Sequence, residues 1–118
     1  MYQIVFYKDE KGRSEVEEYI KELRIKKENN KDNRIKYEKI DIYLNLLTKY
    51  GLKLGEPYIK HLEKELWELR PLKDRIILAH LEKNRIILLT HFIKNTRKTP
   101  RREIKRAERL LKIIKEGD

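Results

Sequence analysis

Apolar positions along the chain change spacing twice, and those changes divide it into elements. Tyr2 to Tyr7 (YQIVFY) is a run of aromatic and β-branched residues followed by the turn-forming cluster KDEKGR, the pattern of a short strand. From Ser14 the spacing lengthens. Val16, Tyr19, Ile20 and Leu23 recur at i, i+3, i+4 and i+7, and Ser14 with Glu17 three residues later forms a capping box, so a helix is expected here. The polar stretch Lys26 to Asn33 breaks the stripe, and its Glu28 to Asn33 part is expected to be a disordered loop. Asp32 is placed to cap a second helix, whose stripe Ile40, Tyr43, Leu44 and Leu47 runs out near Tyr50, with Gly51 as its stop. Two successive helices with a short connection predict a packed hairpin.

Beyond Leu52 the period shortens again. Gly55 and Pro57 mark a turn, after which Leu66 to Arg70, Arg75 to Glu82 and Arg85 to Ile93 are apolar runs of strand length with short polar connections. Glu82-Lys83-Asn84-Arg85 is a hairpin turn in which Asn84 is suited to positive φ. Thr99 as cap and Pro100 in the first turn then open a last helix, whose Ile104, Ala107, Leu111 and Ile114 face inward. The predicted order is β-α-α-β-β-β-α, an α+β fold with an antiparallel meander. No repeat or interdomain linker interrupts it, and 118 residues suit one domain, 1–118, with a modest core.

Charge adds a partner to this picture. The chain carries a net +10, and from Lys94 to Lys112 nine Lys or Arg stand against only Glu103 and Glu108. Coding bias in an AT-rich genome explains abundant Lys, Ile, Asn and Glu, but not this Arg-rich tail. Dense positive charge where a strand ends and a helix begins suits a polyanion: nucleic acid, an anionic membrane surface or an acidic protein. There are no cysteines, so neither a disulfide framework nor a thiolate metal site is expected. The N-terminus lacks the pattern of a secretory signal and no apolar run is long enough to span a bilayer, which predicts a cytoplasmic protein without membrane partners.

Strand alternation then sorts the cations. In ELWELRP, Trp67 and Leu69 belong to one face and Leu66, Glu68 and Arg70 to the other. If the three strands of the meander are neighbours, the connection between Arg70 and Arg75 brings those guanidinium groups to one end of the sheet, and Lys94 returns to the same end. Such a gathering of like charges expects an anion, and the arginine fork suits phosphate oxygens. The bland alternative pairs Arg70 with Glu68 or Glu65 on a solvated rim. Of three histidines, His61 lies in a polar segment and His80 mid-strand; His91, close before Lys94, is the one candidate for acid–base work. Gly-rich phosphate loops, nucleophile elbows, zinc-binding helix motifs and base-stacking aromatic platforms are absent, and no metal or cofactor is expected.

Three segments carry a resemblance: GEPYIKHLEKELWELR, RIILAHLEKNRIILLTHFIKNTRKTP and EIKRAERLLK. Gly55 and Pro57, Lys60 and Leu62, Leu66 with Glu68, Leu69 and Arg70, then His91, Phe92 and Lys94, and finally Thr99, Pro100, Glu103, Ile104 and Ala107 fall where the phage-derived, HigB-like branch of the RelE superfamily has its pattern. Over Leu54 to Lys112, and more loosely throughout, the chain resembles these ribosome-dependent messenger RNA interferases of bacterial type II toxin–antitoxin pairs. The resemblance implies a small, mostly antiparallel twisted sheet flanked by helices, and RNA cleavage by attack of its own 2′-hydroxyl. Arg70, Arg75, Lys94 and Lys98 would be the catalytic cations, with Lys60, Lys64, Arg97, Arg101 and Arg102 along the rest of the RNA. The partners implied are messenger RNA on the ribosome and an antitoxin, a small helix-turn-helix protein, covering the basic face. Asn95 replaces the second lysine of the family's Lys-Lys pair, and the C-terminal tyrosine of some relatives has no counterpart. A lysine crowded by cations, Lys94 or Lys98, is then the physical candidate for the base, with His91 behind them. Two readings from other classes stand beside this one: a non-catalytic nucleic-acid-binding module, and a basic subunit of an acidic partner.

Overall fold

The computed structural model describes residues 1–117. Its elements are β1 (Gln3–Phe6), α1 (Glu15–Lys26), α2 (Lys31–Tyr50), a 3-10 turn (Gly51–Leu54), β2 (Ile59–Glu63), β3 (Leu66–Leu69), β4 (Asp74–His80), β5 (Arg85–Ile93) and α3 (Arg101–Glu116). The five strands lie in the order β1-β5-β4-β3-β2, with β1 parallel to β5 and every other pair antiparallel. This is the expected α+β fold with one strand more. Ile59–Glu63 is an edge strand, half in water, and its sequence IKHLE carries too little apolar alternation to announce itself.

Period-two alternation gives the sheet two apolar faces, and each face collects its own helices. Ile59, Leu69, Ile76, Leu78, Ile86 and Leu88 bury against Val16 and Leu23 of α1 and Ile40 and Leu47 of α2. On the opposite face Leu66, Ile77, Ala79, Ile87 and Leu89 pack against Ile104, Ala107 and Leu111 of α3. The helical stripes predicted from spacing are therefore the buried ones. β4 is covered on both sides, which is why six of its seven residues are buried.

Local chemistry departs from expectation at four places. Ser14 caps α1 by accepting the Glu17 N–H as foreseen, but Asn30 rather than Asp32 caps α2, accepting the Asn33 N–H at 2.9 Å. The segment expected to be a disordered loop shrinks to the four-residue connection 27–30, because Lys31 to Asn33 already belong to α2. In the β4–β5 turn Lys83, not Asn84, has positive φ (62°); the Asn84 side chain instead donates to the Met1 carbonyl beside β1. Pro100 begins α3 without a side-chain cap, and the Thr99 hydroxyl is engaged elsewhere.

Gly51 ends α2 with φ of 61° and ψ of −146°, a conformation that only glycine adopts readily. A Cβ built there would lie 2.4 Å from the Tyr2 ring, and Tyr2 is itself tied to α2 by its N–H to the Thr48 carbonyl. Gly51→Ala is expected to destabilise the fold by about 2 kcal/mol or more. Urea denaturation measures this, and the loss should shrink but not vanish in a Tyr2→Ala background, which removes the clash and leaves the backbone strain.

Candidate anion-binding site

Side-chain parity on β3 places Leu66 and Glu68 on the α3 face, and Arg70, two residues on, keeps that parity just past the strand. On β4, Arg75 pairs with Phe92 of β5 and shares the face of Ile77. The segment 94–100 then leaves β5 and crosses this end of the sheet before α3 begins. Glu68, Arg70, Arg75, Phe92, Lys94, Thr96, Arg97, Lys98 and Thr99 line the cleft so formed. Five cations surround one carboxylate.

That carboxylate is the organising group. Glu68 is fully buried; its Oε1 accepts from Arg70 Nε at 3.0 Å and lies 3.8 Å from Arg75 Nε, while its Oε2 accepts the Thr99 hydroxyl at 2.7 Å. Arg70 therefore pairs with Glu68, as the bland reading held, and still lines the cleft. The pairing engages Nε and aims the fork. Arg75 is held further by Nη1 donating to the carbonyls of Leu72 (2.8 Å) and Asp74 (2.9 Å). Burial pulls its guanidinium below the ordinary arginine value, Glu68 opposes that and Arg70 reinforces it. An arginine so shifted remains charged at neutral pH. Among the described residues, Lys94, Arg97 and Lys98 have no carboxylate partner, so they face solvent as uncompensated charge.

Arg70, Arg75, Lys94 and Lys98 are thus brought together. The candidates for the rest of an RNA chain divide. Lys60, Arg97 and Arg101 line a second groove that shares Arg70, Lys98 and Thr99 with the cleft, extending it along edge strand β2. Arg101 there is held by the carboxylate of Glu63. Lys64 lies elsewhere, 3.8 Å from Glu108, and Arg102 is exposed beside Glu103.

His91 does not join the cleft. Alternation counted from Ile87 and Leu89 would put it on the α3 face, but a β-bulge shifts the β4–β5 register between Ile77 and Leu78. The extra residue reverses parity, so Phe92 enters the cleft and His91 turns to α1. There its ring stacks on Tyr19 with centroids 3.7 Å apart, and its Nε2 lies 2.9 Å from Asp74 Oδ1, which also accepts the Tyr19 hydroxyl at 2.6 Å. Burial and the bond to Asp74 raise the Tyr19 phenol well above its ordinary value. Asp74 is pushed up by burial, but the hydrogen bonds from His91 and Tyr19 and the charge of Lys36 outweigh it and leave the carboxyl below its ordinary value. Glu68 and Thr99 also line the cleft, though the sequence reading gave Glu68 only as the bland partner of Arg70 and Thr99 only as a helix cap. A glutamate between Leu66 and Arg70 on one strand face was the available signal for the first.

Fold and cleft define a small α+β protein with a cationic cleft arranged around a buried carboxylate. The chain belongs to the family described as Phage derived protein Gp49-like, which matches residues 31–112, more than half of its length. That family is associated with toxins of toxin–antitoxin pairs of the RelE and HigB kind. No curated protein matches the chain.

Because Arg75 is buried beside Glu68, Glu68→Ala leaves a buried charge without its counter-ion and is expected to destabilise by about 3 kcal/mol in urea denaturation. The Asp74 cluster predicts a pH dependence. A carboxyl held below its unfolded value contributes stability above the ordinary carboxylate range and loses it as pH falls through the folded value. Asp74→Asn should therefore lower stability at pH 7 and flatten the loss below about pH 4, read from urea midpoints across pH 2 to 7.

Proposed function

We propose that this protein is the toxin of a type II toxin–antitoxin pair, and that its cleft holds the scissile phosphate of messenger RNA while the RNA cleaves itself. The observation carrying this reading is the convergence of Arg70, Arg75, Lys94 and Lys98 around buried Glu68. Family membership supports the toxin class and suggests an antitoxin partner.

The chemistry follows from the charges. The 2′-oxygen attacks the adjacent phosphorus, its proton passes to a base, the bond from phosphorus to the 5′-oxygen breaks, and that oxygen receives a proton. Negative charge grows on the non-bridging oxygens during this displacement. The Arg70 fork, aimed by Glu68, and the buried Arg75 meet it with donors already in place, so little reorganisation is needed. Lys94 and Lys98 at the open rim are the groups for proton transfer; His91, across the sheet, is not within reach. The second groove, with Lys60, Arg97 and Arg101, takes neighbouring phosphates. Lys94, Arg97 and Lys98 stand exposed at the rim of the cleft, which favours the ribosome as the agent that presents the strand for in-line attack.

Lys94→Ala should lower cleavage by about 100-fold or more while melting near the parent, and Arg70→Ala should lower cleavage as far at some cost in stability, because it takes the nearer partner from buried Glu68. Messenger RNA from a translating extract should end in a 2′,3′-cyclic phosphate or 3′-phosphate, with a free 5′-hydroxyl downstream. A substrate with 2′-deoxyribose at the cleavage position should bind and remain uncut. Products with 5′-phosphates, or cutting of the deoxy substrate, would overturn the mechanism; binding without any cleavage would favour a nucleic-acid-binding module.

A further inference from the structure

Behind the cleft, at the same end of the sheet but on the other face, lies an apolar groove. Ile35 of α2, Leu72 of the β3–β4 turn and Ile93 at the end of β5 line it with Asp32, Lys36 and Lys73. All three apolar side chains are exposed, at 41%, 48% and 50%. Ile93 points this way because of the bulge that also turns His91. Leu72 is the more telling residue: it has φ of 56° in a turn closed by the Asp74 N–H on the Pro71 carbonyl at 3.0 Å. Such a position normally takes Gly or Asn, and a bulky side chain there is held under strain. Strain and an apolar side chain in water at one residue point to a contact outside the chain.

Two hydrogen bonds to its backbone carbonyls tie this turn to the cleft. The Leu72 carbonyl accepts Arg75 Nη1 at 2.8 Å, and the Lys73 carbonyl accepts the Lys94 N–H at 2.8 Å. A ligand that moves the turn therefore moves two cleft cations. Charge selects the ligand. Lys36 and Lys73 flank the apolar strip against the single carboxylate of Asp32, on a chain of net +10. A second copy would bring like charge onto like charge.

We propose that the groove receives an amphipathic segment of a partner protein, its apolar residues on Ile35, Leu72 and Ile93 and its carboxylates beside Lys36 and Lys73. Its seating regulates the cleft from behind, through the Leu72 and Lys73 carbonyls, without covering the cations. Docking stands on the groove alone, whereas control of cleavage rests on the function proposed above.

The probe is a synthetic peptide of roughly 18 residues, long enough for a marginal helix, with Leu on one face and Glu on the other. It is titrated into the 15N-labelled full chain. Amide shifts are expected at Ile35, Leu72, Lys73 and Ile93, together with Arg75 Nε–H and the Lys94 amide. Leu72→Gly, which also relieves the strained φ, and Ile93→Ser should each weaken binding about tenfold, the loss of one buried aliphatic contact. Shifts confined to Arg70, Arg97 and Lys98, with both variants binding as the parent does, would mean that the peptide merely meets the cationic cleft, and would overturn the proposal. So would Ile93-dependent dimerisation in light scattering without peptide, or Ile93-dependent binding to phosphatidylcholine–phosphatidylglycerol vesicles with no peptide shifts in the groove. In the cleavage assay the peptide should inhibit the parent and spare Ile93→Ser. Groove shifts with Arg75, Lys94 and cleavage unchanged would overturn the regulation. A parent that never cleaves RNA would fail the proposed function, while the groove shifts still decide the docking.

Discussion

A single buried carboxylate, Glu68, makes the cationic end of this sheet possible. Guanidinium groups brought together on adjacent strands repel, and a buried one such as Arg75 has already lost much of its hydration. Glu68 offsets both effects by accepting from Arg70 and lying beside Arg75, and its second oxygen draws in Thr99 from the segment that leads to α3. The same contacts that stabilise the charges orient them. Lysines on the far side of the cleft have no such anchor and keep their charge for solvent or ligand.

The sheet separates two kinds of polar chemistry. On the α3 face the cations stand open around Glu68. On the helix-hairpin face, Tyr19, Asp74 and His91 form a closed cluster that joins α1 to β4 and β5. Within that cluster Asp74 Oδ2 is buried without a hydrogen-bond partner among the described residues, so the favourable interactions of this carboxylate concentrate on its other oxygen. The cluster reads as a tie between layers, since its members face one another and not a cleft. A one-residue bulge in β5 determines which side chains go to which face.

That bulge also links the cleft to the groove behind it. By reversing parity it places Phe92 beside Arg75 and turns Ile93 outward near Leu72. The β3–β4 turn lies between the two surfaces, with its carbonyls on Arg75 and Lys94 and its strained leucine in water.

Periodicity by itself determined the three helices, their buried stripes, the bounds of β5 and the opposition of Trp67 to Glu68 and Arg70. These follow from the local repeat of apolar residues and need no distant partner. The meeting of Arg70, Arg75 and Lys94 at one sheet end was legible too, because short antiparallel connections return a chain to where it left. What remained to the tertiary structure depends on contacts far apart in sequence. β2 exists because β3 offers its edge. Thr99 leaves its capping role because Glu68, thirty-one residues earlier, takes its hydroxyl. His91, close to Lys94 in sequence, lies across the sheet from the cleft, because parity is lost at a bulge that alternation alone does not reveal.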